Sequence, residues 1–412
     1  METNKKNWGI AILKDIILTA SGGTPSRKKI QYFQGNIPWV KSGELTDSYI
    51  YETEEHISEL AVHSSSAKIF PKGSLLIALY GATIGKMSFL GVPAATNQAV
   101  CCLFNSPSIN SYFLFYYLLL KRSFLINQGK GGAQKNISQE TLKLLPIPVP
   151  PMAEQKRIVK KIEELFAIID KTVKYLNDTK QHLAQYRQSV LQNVFGALTG
   201  EFVPLKTVLK TSSGGTPSRK NPSFYQGTIP WVKSGELDYN VIQDTEEHIS
   251  QEALEHSSAK IFPPGSLLIA LYGATIGKMA FLGVPAATNQ AVCCIFPSNV
   301  YDMSFIFYFL CFKHKYLIFQ GKGGAQKNIS QEILKSLLIP HIDLPEQKAI
   351  VAKIETAFAA ADKAEKAISA ALEQAKQLKQ SILKRAFEGK LVPQDPNDKP
   401  VDLTQIKKDK HK

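Results

Sequence analysis

The chain has 412 residues, of which 44% are hydrophobic, and this proportion excludes an intrinsically disordered protein. At roughly 150 residues per domain, the length indicates two or three domains. The net charge of +14 favours a polyanionic partner, with nucleic acid ahead of an anionic membrane surface. A basic soluble protein without such a partner fits the charge as well.

The first 150 residues alternate short strand-like runs with turns rich in Gly, Pro, Ser and Asn, as residues 74–80 and 99–104 illustrate. This alternation is typical of an α+β domain with many loops. An aromatic helix is predicted near 111–126. Its apolar run, 112–120, is too short to cross a bilayer, and the first residues are not followed by a signal-peptide core. We therefore expect no membrane span and a cytoplasmic protein.

Four of the five cysteines form two adjacent pairs, Cys101–Cys102 and Cys293–Cys294, in strand-like runs. Because neighbouring strand residues point to opposite faces, one cysteine of each pair is predicted to lie in the core. No Cys-x-x-Cys or Cys/His spacing indicates a metal site, and free thiols suit a reducing compartment.

A proline-rich lead at 146–151 precedes a segment without Pro or Gly, 153–195, which predicts a long helix. In this helix and its later copy, apolar residues recur every seven positions, which predicts antiparallel coiled-coil pairing. At 1.5 Å per residue, each helix would be roughly 60 Å long. The predicted pairing residues are Ile162, Ile169, Leu176, Leu183, Val190, Ile354, Ala361, Ile368, Ala375 and Ile382. A second seam is predicted at Ile158, Leu165, Tyr186, Ile350, Ala357, Ala364, Ala371 and Leu378.

The whole pattern occurs twice, with the second copy 192 residues after the first. Residues 21–27 recur at 213–219, and residues 73–87 recur unchanged at 265–279. A repeat of this length is too long for a solenoid unit and suits a whole domain plus a connector. Two copies on one chain make a pseudo-two-fold molecule, which would suit the approximate two-fold symmetry of duplex DNA.

The repeat predicts an α+β protein in which two pseudo-symmetric globular α/β domains are separated by two long antiparallel coiled-coil helices. The predicted segments are a first globular domain at 1–151, a central spacer helix at 152–199, a second globular domain at 200–344, a distal spacer helix at 345–390 and a polar tail at 391–412.

The sequence lacks the motifs of amino methyltransferases, of P-loop nucleotide-binding proteins and of Ser/His/Asp hydrolases. Residues 149–152 lack the polar first residue and the aromatic last residue of the Asp/Asn-Pro-Pro-aromatic loop of amino methyltransferases. Residues 81–87 resemble a P-loop but have one residue too few and end in Met87 where Ser or Thr binds magnesium. His56 and His248 are interpreted as surface residues of turns. The chain is therefore predicted to be non-catalytic.

Glycine-rich, basic and polar loops recur in both copies. Glycine lets the backbone approach a phosphate, Gln and Asn can pair with adenine, and Lys and Arg can bind guanine or phosphate. Glu44 could accept a hydrogen bond from cytosine. For any single loop an ordinary turn is an equal alternative, and Trp39 and Trp231 are expected in the core. The predicted DNA-binding residues are Thr24, Ser26, Arg27, Lys28, Lys41, Lys86, Lys130, Gln134, Lys135, Asn136, Thr216, Ser218, Arg219, Lys220, Lys233, Lys278, Lys322, Gln326, Lys327 and Asn328.

The order of these motifs resembles the specificity subunits of type I restriction–modification systems. Residues 22–27 (Gly-Gly-Thr-Pro-Ser-Arg), 37–39 (Ile-Pro-Trp), 81–85 (Gly-Ala-Thr-Ile-Gly) and 97–98 (Asn-Gln) carry the resemblance. A proline-rich stretch then leads into residues 154–159 (Glu-Gln-Lys-Arg-Ile-Val) and the long helix. The resemblance covers nearly the whole chain and both of its halves.

This resemblance implies that each globular domain is a target-recognition domain that reads one half of a split site in double-stranded DNA. The helices would set the spacing of the half-sites and dock two methyltransferase subunits, which would bind S-adenosylmethionine and methylate adenine. Restriction subunits that use ATP and Mg could join the complex. This chain would supply no cofactor site and no catalytic residue.

Many members of the family have two dissimilar recognition domains, whereas these two are nearly the same, so an interrupted, near-palindromic site is predicted. The copies differ at 28–34 against 220–226 and at 46–52 against 238–244.

Two other functions are possible from the sequence. An enzyme with recognition and catalysis in one chain would need a further catalytic region, for which the repeat leaves no room. A protein adaptor built on the coiled coil, with an incidental basic charge, would lack the salt-dependent DNA binding that a specificity subunit shows.

Overall fold

The computed structural model describes residues 7–129, 136–320 and 328–409. Within them the chain forms two compact units, the first made of residues up to 175 and from 370 onwards, and the second made of residues 176–369. The sequence-based boundaries divide the helices from the globular parts instead, so those boundaries stay a prediction.

The first unit contains eleven strands and five helices among its described residues before the division at 175. The strands are β1 (Gly9–Ile12), β2 (Thr19–Ser21), β3 (Ile37–Val40), β4 (Tyr49–Ile50), β5 (His56–Ile57), β6 (Ile69–Phe70), β7 (Leu75–Ala78), β8 (Met87–Leu90), β9 (Ala94–Thr96), β10 (Val100–Leu103) and β11 (Pro146–Val149). The helices are α1 (Leu13–Ile16), α2 (Glu59–His63), α3 (Ser111–Gln128), α4 (Gln139–Lys143) and the first half of α5 (Met152–Phe195).

Two sheets form the centre of this unit. One has the order β2-β10-β7-β8-β4, and all its neighbours are antiparallel except β8 and β4. The other has the order β5-β3-β9-β6, in which β3 and β9 run parallel. Strands β1 and β11 form a separate antiparallel pair. The predicted aromatic helix near 111–126 is confirmed as α3, which packs its apolar side chains onto the five-stranded sheet.

Both faces of the five-stranded sheet are covered, which corrects the expectation of one core cysteine in each pair. Cys101 belongs to the cluster that contains α3, and Cys102 belongs to a second cluster on the opposite face. Both thiols are fully buried, and so are both thiols of the Cys293–Cys294 pair. Alternation along a strand exposes one face only when that face meets water.

The second unit repeats this architecture. Its strands are β12 (Phe202–Pro204), β13 (Thr211–Ser213), β14 (Ile229–Val232), β15 (Val241–Ile242), β16 (His248–Ile249), β17 (Ile261–Phe262), β18 (Leu267–Ala270), β19 (Met279–Leu282), β20 (Ala286–Thr288), β21 (Val292–Ile295) and β22 (Leu338–Pro340). Its helices are α6 (Leu205–Val208), α7 (Gln251–Glu255), α8 (Met303–Gln320), α9 (Gln331–Ser336) and the first half of α10 (Leu344–Phe387). The sheets have the orders β13-β21-β18-β19-β15, β16-β14-β20-β17 and β12-β22.

The two long helices pack together inside each unit. In the first unit, Ile162 and Ile169 of α5 share a core with Ile382 and Leu383 of α10. In the second unit, ion pairs join Lys180 to Glu365 at 3.6 Å and Arg187 to Asp362 at 2.6 Å. Because the higher number on α5 meets the lower number on α10, the helices run antiparallel there. The predicted fold class is confirmed.

The ten residues predicted to pair the helices are all at least half-buried. Ile162, Ile169, Ile354, Ala361, Ile368 and Ile382 are buried, and Leu176, Leu183, Val190 and Ala375 are half-buried. The second predicted seam is wrong at two positions, since Tyr186 is 45% exposed and Leu378 is 51% exposed. In a straight helix, residues spaced seven apart rotate around the axis by roughly 20° per heptad, so the second row of residues turns away from the helix–helix interface along its length.

The C-terminal segment, predicted to be a polar tail, packs onto the first unit. Helix α11 (Leu403–Asp409) brings Leu403 so close to Gly9 that a Cβ atom on this glycine would lie 2.8 Å from Leu403 Cδ2. Asp398 forms an ion pair with Arg157 at 2.5 Å, and Ile406 joins Leu403 against the core of the unit. No helix in residues 7–129, 136–320 and 328–409 is long and apolar enough to span a membrane.

Candidate nucleic-acid interface

Several of the predicted DNA-binding loops converge at one edge of the first unit. Gly22 donates its backbone N–H to Val100 O at 3.2 Å, and Gly23 donates to Thr96 O at 2.9 Å. These bonds hold the loop that follows β2 against the turn between β9 and β10. That turn therefore forms the centre of the edge.

The loop that follows β7 reaches the same turn. Leu79 donates its N–H to Ala99 O at 2.8 Å and accepts the N–H of Ile137 at 2.9 Å. Tyr80 forms a backbone bridge with Asn136. The candidate loops around Thr24, Lys86 and Asn136 thus meet, although Thr24 and Asn136 are more than 100 residues apart in the sequence.

Glycine is required where the first loop is seated. A Cβ atom on Gly22 would lie 2.1 Å from Thr96 Oγ1, and one on Gly23 would lie 2.3 Å from the carbonyl carbon of Ser66. Both distances are too short for a side chain, so only glycine allows the backbone at these two positions to lie this close to Thr96 and Ser66. The loop then projects the exposed side chains of Thr24, Ser26 and Lys28.

Arg27 and Lys41, both predicted to contact DNA, share the carboxylate of Glu55. Arg27 makes two bonds to this carboxylate, at 2.5 and 3.1 Å, and Lys41 binds it at 3.0 Å. Lys41 also binds Glu54 at 2.7 Å. The bond from Arg27 is the main cause that lowers the pKa of Glu55, and the bonds to Glu54 and Glu55 raise the pKa of Lys41. Both cations are therefore largely neutralised by the chain itself.

Aromatic rings support this cluster from below. The guanidinium of Arg27 lies 4.4 Å from the centre of the Phe33 ring and 5.3 Å from that of Trp39, within the range of cation–π attraction. Trp39 is 2% exposed and donates Nε1–H to Gly23 O at 3.1 Å. The interpretation of both tryptophans as core residues is confirmed, because Trp231 is equally buried.

Glu44, which the sequence offers as a partner for cytosine, is occupied by backbone groups. Its two carboxylate oxygens accept the N–H of Lys41 at 2.6 Å and the N–H of Glu54 at 2.9 Å. These bonds cap a short 3₁₀ turn that positions Lys41. Its role in this structure is to order the loop.

The remaining candidates of the first unit are more available. Thr24 donates its hydroxyl to the side-chain oxygen of Gln98. Lys28 and Lys86 are exposed, and neither ammonium group forms an ion pair with any residue that the structure describes. Asn136 is also exposed. Among the described candidates of this edge, Lys28, Lys86 and Asn136 are therefore exposed, as is Ser26.

The second unit repeats the cluster around Glu247. Arg219 binds Glu247 at 2.7 Å, and Lys233 binds Glu247 at 3.0 Å and Glu246 at 2.8 Å. Arg219 lies 4.0 Å from the centre of the Tyr225 ring. The bond from Arg219 is the main cause that lowers the pKa of Glu247.

The other candidates of the second unit match their counterparts with one exception. Thr216 donates to the side-chain oxygen of Gln290, and Ser218, Lys220 and Asn328 are exposed. The exception is Lys278, which forms an ion pair with Asp238 at 2.8 Å.

Six predicted DNA-binding residues lie outside the described residues. They are Lys130, Gln134, Lys135, Lys322, Gln326 and Lys327.

Sequence reasoning missed the two acidic residues that organise these edges. Glu55 and Glu247 lie in the repeated string Thr-Glu-Glu-His-Ile-Ser, in which the histidines are the more conspicuous residues. The half-buried His56 pairs with Glu52 at 2.8 Å. The sequence does contain a signal for these residues. Two adjacent glutamates recur in both copies of a domain whose loops are rich in Lys and Arg, so they are candidates to pair with those cations.

Within the part of the chain that the structure describes, no three His, Cys, Asp or Glu side chains gather as metal ligands would. The duplicated loop edge and the paired helices define a protein of two similar units, each with a candidate nucleic-acid interface. The family model of the type I restriction modification DNA specificity domain matches residues 5–178 and 199–374, and the chain belongs to this family.

Curated relatives match most of this chain. It is 26% identical over 371 residues to the type I restriction enzyme MjaIX specificity subunit of Methanocaldococcus jannaschii, covering 81% of this chain and 83% of the relative. It is 26% identical over 426 residues to the EcoKI specificity subunit of Escherichia coli, covering 94% and 90%.

Solved structures share the fold. A chain from a type I restriction–modification system superposes with a TM-score of 0.76 at 18% identity, covering 94% of this chain and 99% of the other. The HsdS subunit of Thermoanaerobacter tengcongensis gives a TM-score of 0.58 at 18% identity, covering 93% and 97%.

Proposed function

We propose that each unit reads one half of a bipartite site in double-stranded DNA, as part of a type I restriction–modification complex. The observation that carries this proposal is the duplication of the loop edge. In both units the Gly-Gly loop is held by the same backbone bonds, 2.9 Å from Gly23 to Thr96 and 2.9 Å from Gly215 to Thr288. Two equivalent binding edges suit two equivalent half-sites.

The two half-sites are proposed to be similar and inverted, so that the full site is an interrupted near-palindrome. The shared cluster of Arg, Lys and Glu orders the loop, while exposed residues beside it would contact DNA. Some of these residues differ between the units: Lys29, Ile30 and Gln31 are exposed in one, and Asn221, Pro222 and Ser223 take their places in the other. This difference is why the proposed symmetry is approximate.

Helices α5 and α10 are proposed to set the half-site spacing and to dock two methyltransferase subunits. Support comes from apolar side chains that these helices leave exposed in the first unit: Ile168 at 64%, Tyr175 at 70% and Leu378 at 51%. Apolar surface of this kind, on helices whose other face is packed, favours a protein partner. In this proposal the partners bind S-adenosylmethionine and methylate adenine, and restriction subunits that use ATP and Mg can join in the cytoplasm, while this chain supplies specificity.

Methylation mapping tests the proposal. The chain is expressed with its candidate methyltransferase subunit in a host without DNA methylation, and modified bases are sequenced across the genome. We expect methyladenine in one interrupted, near-palindromic motif that depends on this chain. An asymmetric motif would retain the specificity function and reject the similar half-sites. Methylation independent of this chain would reject DNA specification and favour the adaptor.

A further inference from the structure

One lysine occupies the same loop in both units but has different surroundings. Residues 73–87 and 265–279 are the same sequence, so Lys86 and Lys278 follow the same strand and the same 3₁₀ turn. In each unit, the glycine before this lysine has a φ of +79°, a left-handed conformation that fixes the exit of the turn. The backbone at the two lysines is therefore equivalent.

In the second unit an acidic neighbour neutralises this lysine. The ammonium of Lys278 lies 2.8 Å from the carboxylate of Asp238. The first unit has Thr46 at the position of Asp238, and the Thr46 hydroxyl shares a hydrogen bond with Ser48 at 2.8 Å. Lys86 is exposed and forms no ion pair within the described residues, and residues 130–135 contain no Asp or Glu.

Asp47 of the first unit, which bonds to the residue that follows Lys86, already has a charged partner. Asp47 binds Arg122 at 2.5 and 3.0 Å and accepts the N–H of Met87 at 3.1 Å. The second unit has Tyr239 and His314 in place of Asp47 and Arg122. Burial lowers the pKa of His314, so this imidazole is neutral near pH 7.

The side chains around the two lysines therefore differ by one charge. Lys86, Arg122 and Asp47 carry one net positive charge, whereas Lys278, Asp238 and neutral His314 carry none. The lysine sits at the loop edge described above, because Tyr80 at the start of its loop bridges to Asn136. An exposed and unpaired ammonium at such an edge releases a counterion when it meets a DNA phosphate.

We infer that Lys86 makes a phosphate contact to DNA that Lys278 does not make, so that the two units hold their half-sites with unequal strength. This inference rests on the proposed function, in which each unit binds one half-site. It names Thr46 and Asp238 as the residues that set the difference. A lysine already paired with a carboxylate must lose that partner before it binds phosphate, which removes most of the gain.

The test is the salt dependence of DNA binding by the full chain in complex with its methyltransferase subunits. The probes are one duplex that carries the mapped motif and one duplex of the same length without it. We expect Lys86→Ala to reduce the slope of log K against log salt by about 0.9 on both duplexes. Lys278→Ala is expected to change the slope by less than half as much.

Thr46 and Asp238 occupy equivalent positions, so exchanging them introduces at each position a residue that the other unit already accommodates there. Thr46→Asp should reproduce the effect of Lys86→Ala, and Asp238→Thr should increase the slope by about 0.9, since it frees Lys278. The combination of Asp238→Thr with Lys278→Ala should return the slope to the wild-type value. Equal effects of Lys86→Ala and Lys278→Ala would overturn the inference.

The outcomes separate this inference from the proposed function. If the wild-type complex prefers the motif and has a normal salt slope, but the two lysine variants behave alike, only the inference fails. If Lys86→Ala weakens binding to the motif duplex alone, Lys86 contacts a base and the phosphate assignment is wrong. If the wild-type complex shows no motif preference and no salt dependence, the proposed function fails as well.

Discussion

Glu55 and Glu247 each hold two cations at a candidate interface, and this pairing makes stability depend on pH. The hydrogen bond from arginine lowers the pKa of each carboxyl in the folded protein below its ordinary value of 4.5. A carboxyl with a lowered folded-state pKa contributes stability above pH 4.5 and loses it as the pH falls through the lowered value.

We therefore expect the melting temperature of the wild-type protein to fall as the pH is lowered below 4.5. The double variant Glu55→Gln with Glu247→Gln should melt at a lower temperature at pH 7 and should lose less on acidification. Thermal unfolding at several pH values between 3 and 7 measures both effects. An unchanged acid-side slope in the double variant would show that these carboxyls do not supply the dependence.

A second prediction at the scale of single residues concerns the glycines that seat the loops. Gly23→Ala places a methyl group 2.3 Å from the backbone at Ser66, so the loop must shift. We expect a loss of about 1–3 kcal/mol in the free energy of unfolding, as for other overpacked sites. Urea denaturation measures it.

The matched control is Gly43→Ala, because a methyl group there would meet none of the described residues within 4 Å. Its free energy of unfolding should change by less than about 0.5 kcal/mol. Equal destabilisation by the two substitutions would mean that the loss of glycine's backbone freedom, and not close packing, sets the stability cost at these positions.

At the scale of elements, adjacent residues of α5 differ in burial. Ile169 is 7% exposed and belongs to the core of the first unit, whereas Ile168 is 64% exposed. Ile169→Ala should cost about 2–4 kcal/mol of stability, since it removes buried methyl groups and leaves a cavity. Ile168→Ala should leave the denaturation midpoint unchanged.

The same pair of variants separates stability from docking. If α5 docks a methyltransferase subunit through its exposed face, Ile168→Ala should weaken that complex in a titration while the chain remains fully folded. Intact binding by Ile168→Ala would argue that the partner contacts another face.

Much of this architecture follows from the sequence because it depends on local signals. The repeat predicts two copies of a domain, and the heptads with the proline-rich lead predict the two helices. Contacts between distant residues are not encoded so directly. Arg27 and Glu55 meet only because β2, β3 and β5 bring their flanking loops together, and Cys101 and Cys102 are both buried only because elements cover both faces of the sheet.

At the scale of the whole molecule, the two units should read DNA independently, and each half of the motif should follow its own loop. Residues 29–31 and 221–223 occupy the start of equivalent 3₁₀ turns, one in each unit. Both flank the cluster of Arg, Lys and Glu side chains, which is the same in the two units. Replacing Asn221, Pro222 and Ser223 with the Lys, Ile and Gln of the first unit changes side chains at the turn without altering the buried rings behind it.

We expect the triple variant Asn221→Lys, Pro222→Ile and Ser223→Gln to change the methylated motif in one half only, toward the sequence read by the other half. The reciprocal variant Lys29→Asn, Ile30→Pro and Gln31→Ser should change the opposite half, and methylation mapping reads both. The spacer should keep its length in both variants because neither touches α5 or α10. A change in both halves from one variant would mean that the units do not act independently, and no change from either would place base reading in other loops.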